Sequence, residues 1–433
     1  MKTSKLAWTR RQFVSTVGSA ATAAFVADAK AFSAVPKAKE NTGKRRIALI
    51  ATEARKYSHA QHFIDRVLEG YGWQGRHHRP QLELAGLYMD QFNENDLSRE
   101  RASRHRVKIY PTVEEALTLG RSKLAVDGVL IIAEHGSYPR NERGQTRYPR
   151  HEFFQRTAKV FEESGRAVPV FNDKHLSTDW EECVEMVQTA KRLGFPFMAG
   201  SSLPVTWRIP SIDMPLGTPL EESVCVCYGT IDSYDIHGLE TAQCMSERRA
   251  GGESGVKSVQ AIRGKAVWQM LEERKNTQKL FFAALSRSFT CRGRYSTALP
   301  DLEWLKDNHE HPVAYFLEHF DGFRTSVFLL TGLVSDFTYA GLKRGNGEIV
   351  SCQMYLPMPP ALSTVADFFN PLVNHIERMI LNHVVPYPVE RTLLTSGMVI
   401  SAIESLYRGH ALVETPHLKV AYKALDQSSF WRA

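Results

Sequence analysis

The chain has 433 residues, 43% hydrophobic and 23% charged, with a formal net charge of +7. That is an ordinary globular composition, long enough for two or three domains and a sizeable core. Much of the basic excess sits in the first 31 residues (Lys2, Lys5, Arg10, Arg11 and Lys30 against Asp28), and without them 49 basic and 46 acidic residues remain, too balanced for a nucleic-acid-binding protein.

Those first residues read as a targeting segment. Thr9-Arg-Arg-Gln-Phe13 is a twin-arginine pattern, Val14 to Ala27 is a mildly apolar run, and Ala29-Lys-Ala31 offers a small-x-small cleavage site. The run is interrupted by Ser15, Thr16, Gly18, Ser19 and Thr22, and it falls short of the ~20 strongly apolar residues of a spanning helix. Residues 1–31 are therefore expected to be a twin-arginine signal peptide and residues 32–44 a linker, which makes the mature chain exported, to the periplasm or its equivalent. No later segment is long and apolar enough to cross a membrane. Six cysteines (Cys183, Cys225, Cys227, Cys244, Cys291, Cys352) show no CxxC spacing, and sixteen histidines form no zinc signature, so no metal site is expected.

The mature chain opens with a strand, Arg46 to Ala51, then a loop, Thr52 to Ser58, and a helix, His59 to Gly70. Leu82 to Met89 is a second strand ending at Asp90, a helix spans about Asp96 to His105, and Val107 to Tyr110 is a short strand. Pro111 to Leu117 begins another helix, and Val126 to Ala133 is a buried strand. Alternation at this spacing predicts a Rossmann-like, doubly wound parallel sheet over residues 45–210. Glu134 to Arg150, rich in Arg, Tyr, Pro and Gly, is a loop over the carboxyl edge of that sheet, the position where loops carry function.

Past this loop, Gly165 to Phe171 delivers Asp173, Lys174 and His175 to the end of a short strand. Ligands of open parallel sheets bind beyond the carboxyl ends of strands. A lysine placed there can hydrogen-bond a substrate oxygen or assist proton transfer, although a lysine after a strand is more often simply exposed. A helix, Trp180 to Leu193, and a buried run, Phe195 to Ala199, complete the alternation.

After Pro210 the texture changes. Ser223 to Tyr228 is a strand, a helix carries His237, Glu240 and Arg248-Arg249, and Val256 to Ile262 is a further strand. Alternating runs at Val313–His319, Thr325–Thr331, Phe337–Leu342 and Ile349–Tyr355 follow, with turns at Asp321-Gly322 and Gly345-Asn-Gly347. Residues 211–433 are thus expected to form an α+β domain with an open-faced, mostly antiparallel sheet for substrate binding and oligomer formation. Two amphipathic helices, about Leu362–Val384 and Val389–Arg408, end the chain, with the first domain as a surface onto which they can pack back.

In this order the pieces resemble the glucose–fructose oxidoreductase and inositol dehydrogenase family (Gfo/Idh/MocA) over nearly the whole mature length. Val126-Asp-Gly-Val-Leu-Ile-Ile-Ala133 is similar to the family's strand before the nicotinamide loop, and Asn172-Asp-Lys-His175 to its strand ending in Glu-Lys-Pro. Phe195-Pro-Phe-Met-Ala-Gly200 with Arg208-Ile-Pro210 resembles the next strand and its Arg-x-x-Pro continuation. His237-Gly-Leu-Glu240 resembles the His-x-Leu-Asp run of the second domain, and Pro388-Val-Glu390 through Ser405 the C-terminal helix. The resemblance implies an oxidoreductase acting on a sugar or polyol hydroxyl with a nicotinamide cofactor. It implies Lys174 and His237 as the catalytic pair, and a homo-oligomer that binds a small carbohydrate-like substrate and neither nucleic acid nor membrane.

The same resemblance places the cofactor at Ala51, Thr52, Glu53, Lys56, Asp90, His151 and Lys174, with NAD favoured over NADP because a carboxylate at Asp90 suits ribose hydroxyls. It places substrate near His175, Arg208, Ser233 and Asp235. Of the loop residues Glu134, His135, Tyr138 and Arg140 and the nearby His151, it singles out His151, where the family has a histidine opening a helix. The sequence departs from the pattern at His175, where the family has proline, and in two further places. The three fingerprint glycines fall on Ala51, Glu53 and Lys56, where a carboxylate would repel pyrophosphate. Ser233 stands where the family has the aspartate that supports the catalytic histidine, leaving His237 a weaker base. Two functions therefore stay open: an exported NAD(P)-dependent oxidoreductase, or a protein of this fold without hydride chemistry, either a carbohydrate-binding protein or a non-redox lyase.

Overall fold

The computed structural model describes residues 43–293 and 299–430, and Lys44–Ala433 form one compact unit. The expected signal peptide, with its twin arginines, lies outside the described residues.

The first half runs β1 (Arg45–Ala51), α1 (His59–Glu69), a small hairpin β2 (Tyr71–Trp73) and β3 (Arg76–His78), then β4 (Leu82–Met89), α2 (Ser98–His105), β5 (Lys108–Tyr110), α3 (Val113–Thr118), β6 (Gly128–Ile132), α4 (Arg150–Ser164), β7 (Val170–Asp173), α5 (Trp180–Leu193) and β8 (Phe197–Gly200). Local chemistry sets these limits. The Ser58, Thr112 and Asp179 side chains cap α1, α3 and α5, and Gly165 and Gly194 end α4 and α5 in left-handed conformation. The six long strands pair in the order β5-β4-β1-β6-β7-β8, all parallel. This is the doubly wound order, and its direction reverses between β1 and β6. One face carries α3, α4 and α5 around Phe153, Phe154, Phe161 and Met186. The other carries α1 and a helix from the end of the chain.

The second half runs β9 (Arg208–Ile209), β10 (Leu220–Cys227), α6 (Asp235–Ser246), β11 (Val256–Arg263), α7 (Ala266–Glu273), α8 (Lys275–Leu285), α9 (Leu302–Asn308), β12 (Val313–His319), β13 (Arg324–Leu329), β14 (Phe337–Lys343), β15 (Ile349–Met354), α10 (Asn370–Asn382), α11 (Glu390–Tyr407) and β16 (Val413–Glu414). Its eight strands pair as β16-β11-β12-β13-β10-β14-β15-β9, antiparallel except for β10 with β13. On one face α7 and α8 cover Val224, Val226, Ile262, Phe328 and Ala340. The opposite face meets α6 and α11.

The C-terminal helices stitch the halves together. α10 packs so close to β6 that a Cβ on Gly128 would meet Ile380 at 2.8 Å, so only glycine fits there. From the stretch before and within α11, the Tyr387 and Thr392 hydroxyls donate to the Ala199 carbonyl at 2.9 and 2.6 Å. Ile47, Leu49 and Phe63 of the first half share one apolar cluster with Cys225, Val327 and Tyr339 of the second.

Candidate functional site

β7 ends at Asp173, and Lys174 follows with φ 61°, held there by its N–H, which donates to the Gly200 carbonyl at 3.1 Å. A left-handed lysine is uncommon, and such outliers collect at functional sites. The turn swings the side chain inward, so that Lys174 is 3% exposed. Its ammonium donates to Glu134 Oε1 at 2.7 Å and to the Ser233 carbonyl at 3.2 Å, joining the first sheet to the start of α6. Glu134 is also buried, and its Oε2 accepts from Arg150 at 2.7 Å. Burial alone would raise the Glu134 carboxyl, but Lys174 and Arg150 outweigh it and hold the group well below its ordinary range.

Lys174 forms part of the wall of a cavity of about 230 Å³ between the two sheets. Its polar lining comprises Arg55, His59, His62, His135, Ser233, Tyr234 and His237, and its apolar lining includes Leu203, Leu356, Met358, Phe368 and Phe369. Hollows of about 610 and 780 Å³ elsewhere are larger, yet a functional site is marked by converging titratable groups, and those converge here. Burial drives three of these histidines toward the neutral form. It pushes His135 down to about 3, His62, with help from Arg66, to about 2, and His237, with help from Lys174, well below its ordinary value. His237 Nδ1 is buried with no hydrogen-bond partner among the described residues. His59 differs: its Nδ1 lies 2.6 Å from Asp173 Oδ2.

On the far side of the Lys174–Glu134 pair is a second hollow of about 470 Å³, lined by Gln145, Thr146, Asp232 and again Ser233. Burial raises the Asp232 carboxyl to about 6, while the Thr146 N–H donates to its Oδ2 at 2.7 Å.

The crevice where the sheet order reverses is filled by the chain itself. The Thr52 hydroxyl donates to the Glu134 carbonyl at 2.7 Å. Glu53 is buried, and its two oxygens accept from Arg55 and Asn93, each at 2.8 Å. Ser58 Oγ accepts from the Arg55 N–H of the preceding turn and from the Gln61 N–H of the first turn of α1, so the chain itself meets one donor of that helix terminus. Further out, both Asp90 oxygens accept phenol protons, from Tyr88 at 2.7 Å and Tyr138 at 2.6 Å. Gln91 and Ser137 exchange two hydrogen bonds beside them. Residues 134–149 thus form a strap fastened across the carboxyl edge.

Of the residues singled out from sequence, Lys174, Ser233 and His237 meet at the cavity. Ala51 ends β1 and Thr52 and Glu53 begin the turn after it, while Lys56 is exposed, over the Tyr57 ring. Four others serve elsewhere. His151 is turned away by the first turn of α4 and meets Glu185 of α5 at 2.8 Å on the outer surface. His175 is buried against Arg150 at 3.1 Å. Arg208 sits in β9 and pairs with Asp213 at 2.8 Å. Asp235 opens α6, where its carboxylate accepts from the Asp232 and Ile236 N–H groups and from the Tyr315 hydroxyl. No hydrogen bond joins Ser233 to the His237 ring among the described residues; the Ser233 carbonyl serves Lys174 instead. The sequence reading missed His59, and it named Glu134 and His135 among the loop residues but singled out His151 instead. The available signal was position: Glu134 and His135 come just after the fourth strand of the first sheet, and His59 opens the helix after its first strand.

No family model matches the chain, and no curated protein matches it. Solved structures do share its fold. GenD2 from gentamicin A biosynthesis, in complex with NAD, aligns with TM-score 0.54 at 11% identity over 88% of this chain and 99% of that one. The scyllo-inositol dehydrogenase of Lactobacillus casei aligns with TM-score 0.51 at 10% identity over 86% and 98%. The myo-inositol dehydrogenase of Lactobacillus casei, in complex with NAD(H) and myo-inositol, aligns with TM-score 0.50 at 12% identity over 86% and 96%.

Proposed function

We propose that this chain is a divergent member of the Gfo/Idh/MocA family that acts on a small sugar- or polyol-like substrate by acid–base chemistry in the cavity between its sheets. The observation that carries this reading is the convergence of Lys174, paired to Glu134, with His59, His135 and His237 on one cavity of about 230 Å³. That volume lies below the ~300–1,000 Å³ of drug-sized ligand pockets, which suits a single sugar ring. The Lys174 ammonium can donate to a hydroxyl or carbonyl oxygen and steady charge that develops on it. Neutral imidazoles exchange protons with substrate hydroxyls, and Phe368 and Phe369 offer an apolar wall for the C–H face of the ring.

The residues of the crevice do not fit a dinucleotide in the usual seat of this fold. A pyrophosphate there needs backbone N–H groups at the start of α1 and no carboxylate beside them. Here Glu53 is buried in the turn, Ser58 takes the Gln61 donor of the first turn of α1, and Tyr138 holds the Asp90 oxygen that a ribose hydroxyl would use. The non-redox reading is accordingly favoured. Hydride transfer with NAD or NADP is the second reading, supported by the fold shared with GenD2 and the inositol dehydrogenases; it requires the strap to lift and Glu53 to turn away.

Export by the twin-arginine route belongs to the same proposal and rests on Thr9 to Phe13 and the run that follows. The catalytic test is a panel of aldoses, ketoses and polyols incubated in D2O with the purified chain, with and without NAD+ or NADP+. Deuterium incorporation, epimerisation or elimination is followed by NMR, and reduced nicotinamide by ultraviolet absorbance. Turnover without added or co-purified nucleotide is the expected result. Reaction confined to samples holding nucleotide returns the chain to hydride transfer, and neither binding nor turnover of any sugar or polyol ends the enzyme reading.

A further inference from the structure

His59 and Asp173 stand 114 residues apart in sequence and meet at 2.6 Å. His59 is the first residue of α1 and Asp173 the last of β7, so the contact joins the helix after β1 to the end of a strand two places away in the sheet. Asp173 is 1% exposed, and a carboxylate only accepts. The proton of a neutral His59 is therefore on Nδ1, and the lone pair is on Nε2, a tautomer assigned from the bond itself. The ring is braced edge-on by His135, with centroids 5.6 Å apart, and by Phe369 at 5.2 Å, and it forms part of the cavity wall. His237 also lies on the cavity, with Tyr234 and Phe337 edge-on to its ring, but it lacks the carboxylate: among the described residues its Nδ1 has no hydrogen-bond partner, and its neighbour Ser233 turns a carbonyl to Lys174.

We propose that His59, rather than His237, is the proton-accepting group of this cavity, with Asp173 as the residue that positions it. The proposal rests on the acid–base reading above. A proton from a substrate O–H or C–H passes to His59 Nε2, and its electron pair stays on the substrate oxygen or carbon. The ring becomes an imidazolium that remains bonded through Nδ1–H to Asp173, which stabilises the new charge. The Lys174 ammonium, on the same cavity, donates to the oxygen where negative charge appears, and the proton returns from Nε2 when the step completes. The support that the second sheet fails to give His237 is thus supplied to a histidine of the first sheet. That histidine also stands at the helix terminus where a dinucleotide would lie in this fold.

The test uses diethyl pyrocarbonate, which acylates neutral imidazole nitrogen, on the full-length folded protein, with the rate at each histidine read by peptide mass spectrometry. It needs no substrate, so a failed sugar screen and a failed assignment of His59 are told apart. The comparison is with His237, whose Nδ1 has no partner among the described residues, and the internal control is His151, which keeps its own bond to Glu185 when Asp173 is changed. His59 should react faster than His237, and Asp173→Asn should lower the His59 rate on the order of tenfold, the worth of a bond to a charged acceptor, while leaving His151 unchanged. Circular dichroism confirms that the variant is folded, and the wild-type comparison stands without it. His237 reacting faster than His59, or a folded Asp173→Asn with an unchanged His59 rate, overturns the proposal.

Discussion

The Thr52 hydroxyl donates to the Glu134 carbonyl at 2.7 Å, tying the residue after β1 to the segment after β6. These are the strands between which the sheet reverses its order, and in this fold that gap is where a ligand enters. Here one short polar bond bridges the gap, and the Glu134 carboxylate beyond it reaches Lys174. The crevice and the cavity are therefore coupled through a single residue.

If the crevice is closed in solution, calorimetric titration of the wild-type chain with NAD(H) and NADP(H) should give no micromolar affinity. Glu53→Gly with Tyr138→Phe frees Arg55, Asn93 and one oxygen of Asp90. Affinity should then rise by about tenfold or more, the worth of one hydrogen bond to a charged group. Tight binding by the wild type would show that the strap gives way to nucleotide.

Lys174→Asn should keep the fold, because asparagine tolerates the left-handed backbone at φ 61° and Glu134 keeps Arg150 as a partner. Turnover on a confirmed sugar or polyol should fall by about 10²–10⁴-fold, the usual contribution of a positioned acid–base group. Near wild-type turnover would make the Lys174–Glu134 bond a structural feature.

Glu134→Ala has the opposite emphasis. It leaves Lys174 and Arg150, at 3% and 1% exposure, without their shared anion. Removing one partner from a buried ion pair costs about 3–5 kcal/mol, and urea denaturation should show a loss of that size. A loss under about 1 kcal/mol, the range of surface pairs, would mean that water already screens the site.

Stability should fall as the solution is acidified. His62 is lowered from 6.5 to about 2 and His135 from 6.5 to about 3, both chiefly by burial. Below pH 6.5 the unfolded chain then binds protons that the folded chain refuses, so stability is fully present above that pH and is lost toward pH 3. Each such histidine contributes a slope of roughly 1.4 kcal/mol per pH unit. Glu240, raised by burial to about 7, Asp232, raised to about 6, and Asp235, also raised, oppose this, but His175, His237 and His375 add to the histidine side. His62→Phe, which keeps a ring stacked on Phe369, should flatten the slope measured by urea midpoints between about pH 6.5 and 5. An unchanged slope would mean that His62 titrates normally.

Replacing Arg10 and Arg11 by Lys should strand the protein in the cytoplasm, since the twin-arginine route reads the pair itself. Cell fractionation checks this. Continued appearance outside the inner membrane would remove the export proposal.

The fold was legible because period and punctuation agree along most of the chain: buried runs such as Leu82–Met89 and Gly128–Ile132, capped helices, and glycine stops. Lys174 and Ser233 were legible for the same reason, since strand ends and helix starts fix where a residue emerges. What could not be read was direction across the strap. His151 was favoured over Glu134 and His135 because it opens a helix, yet a helix start fixes an axial position and leaves the facing undetermined, and α4 turns His151 toward Glu185. The His59–Asp173 bond was invisible because it joins residues 114 apart whose side chains meet only after β1 and β7 are two places apart in one sheet.

The apolar cluster shared by Ile47, Leu49 and Phe63 with Cys225, Val327 and Tyr339, and by Leu394 and Met398 of α11, bears on how the protein melts. Modules joined by a wet, polar seam come apart one at a time. A seam made of continuous core has no plane along which half the chain can let go while the other half holds. On heating, both sheets should therefore disappear in one calorimetric peak, with calorimetric and van't Hoff enthalpies equal, and the cavity between them should persist until the whole molecule unfolds.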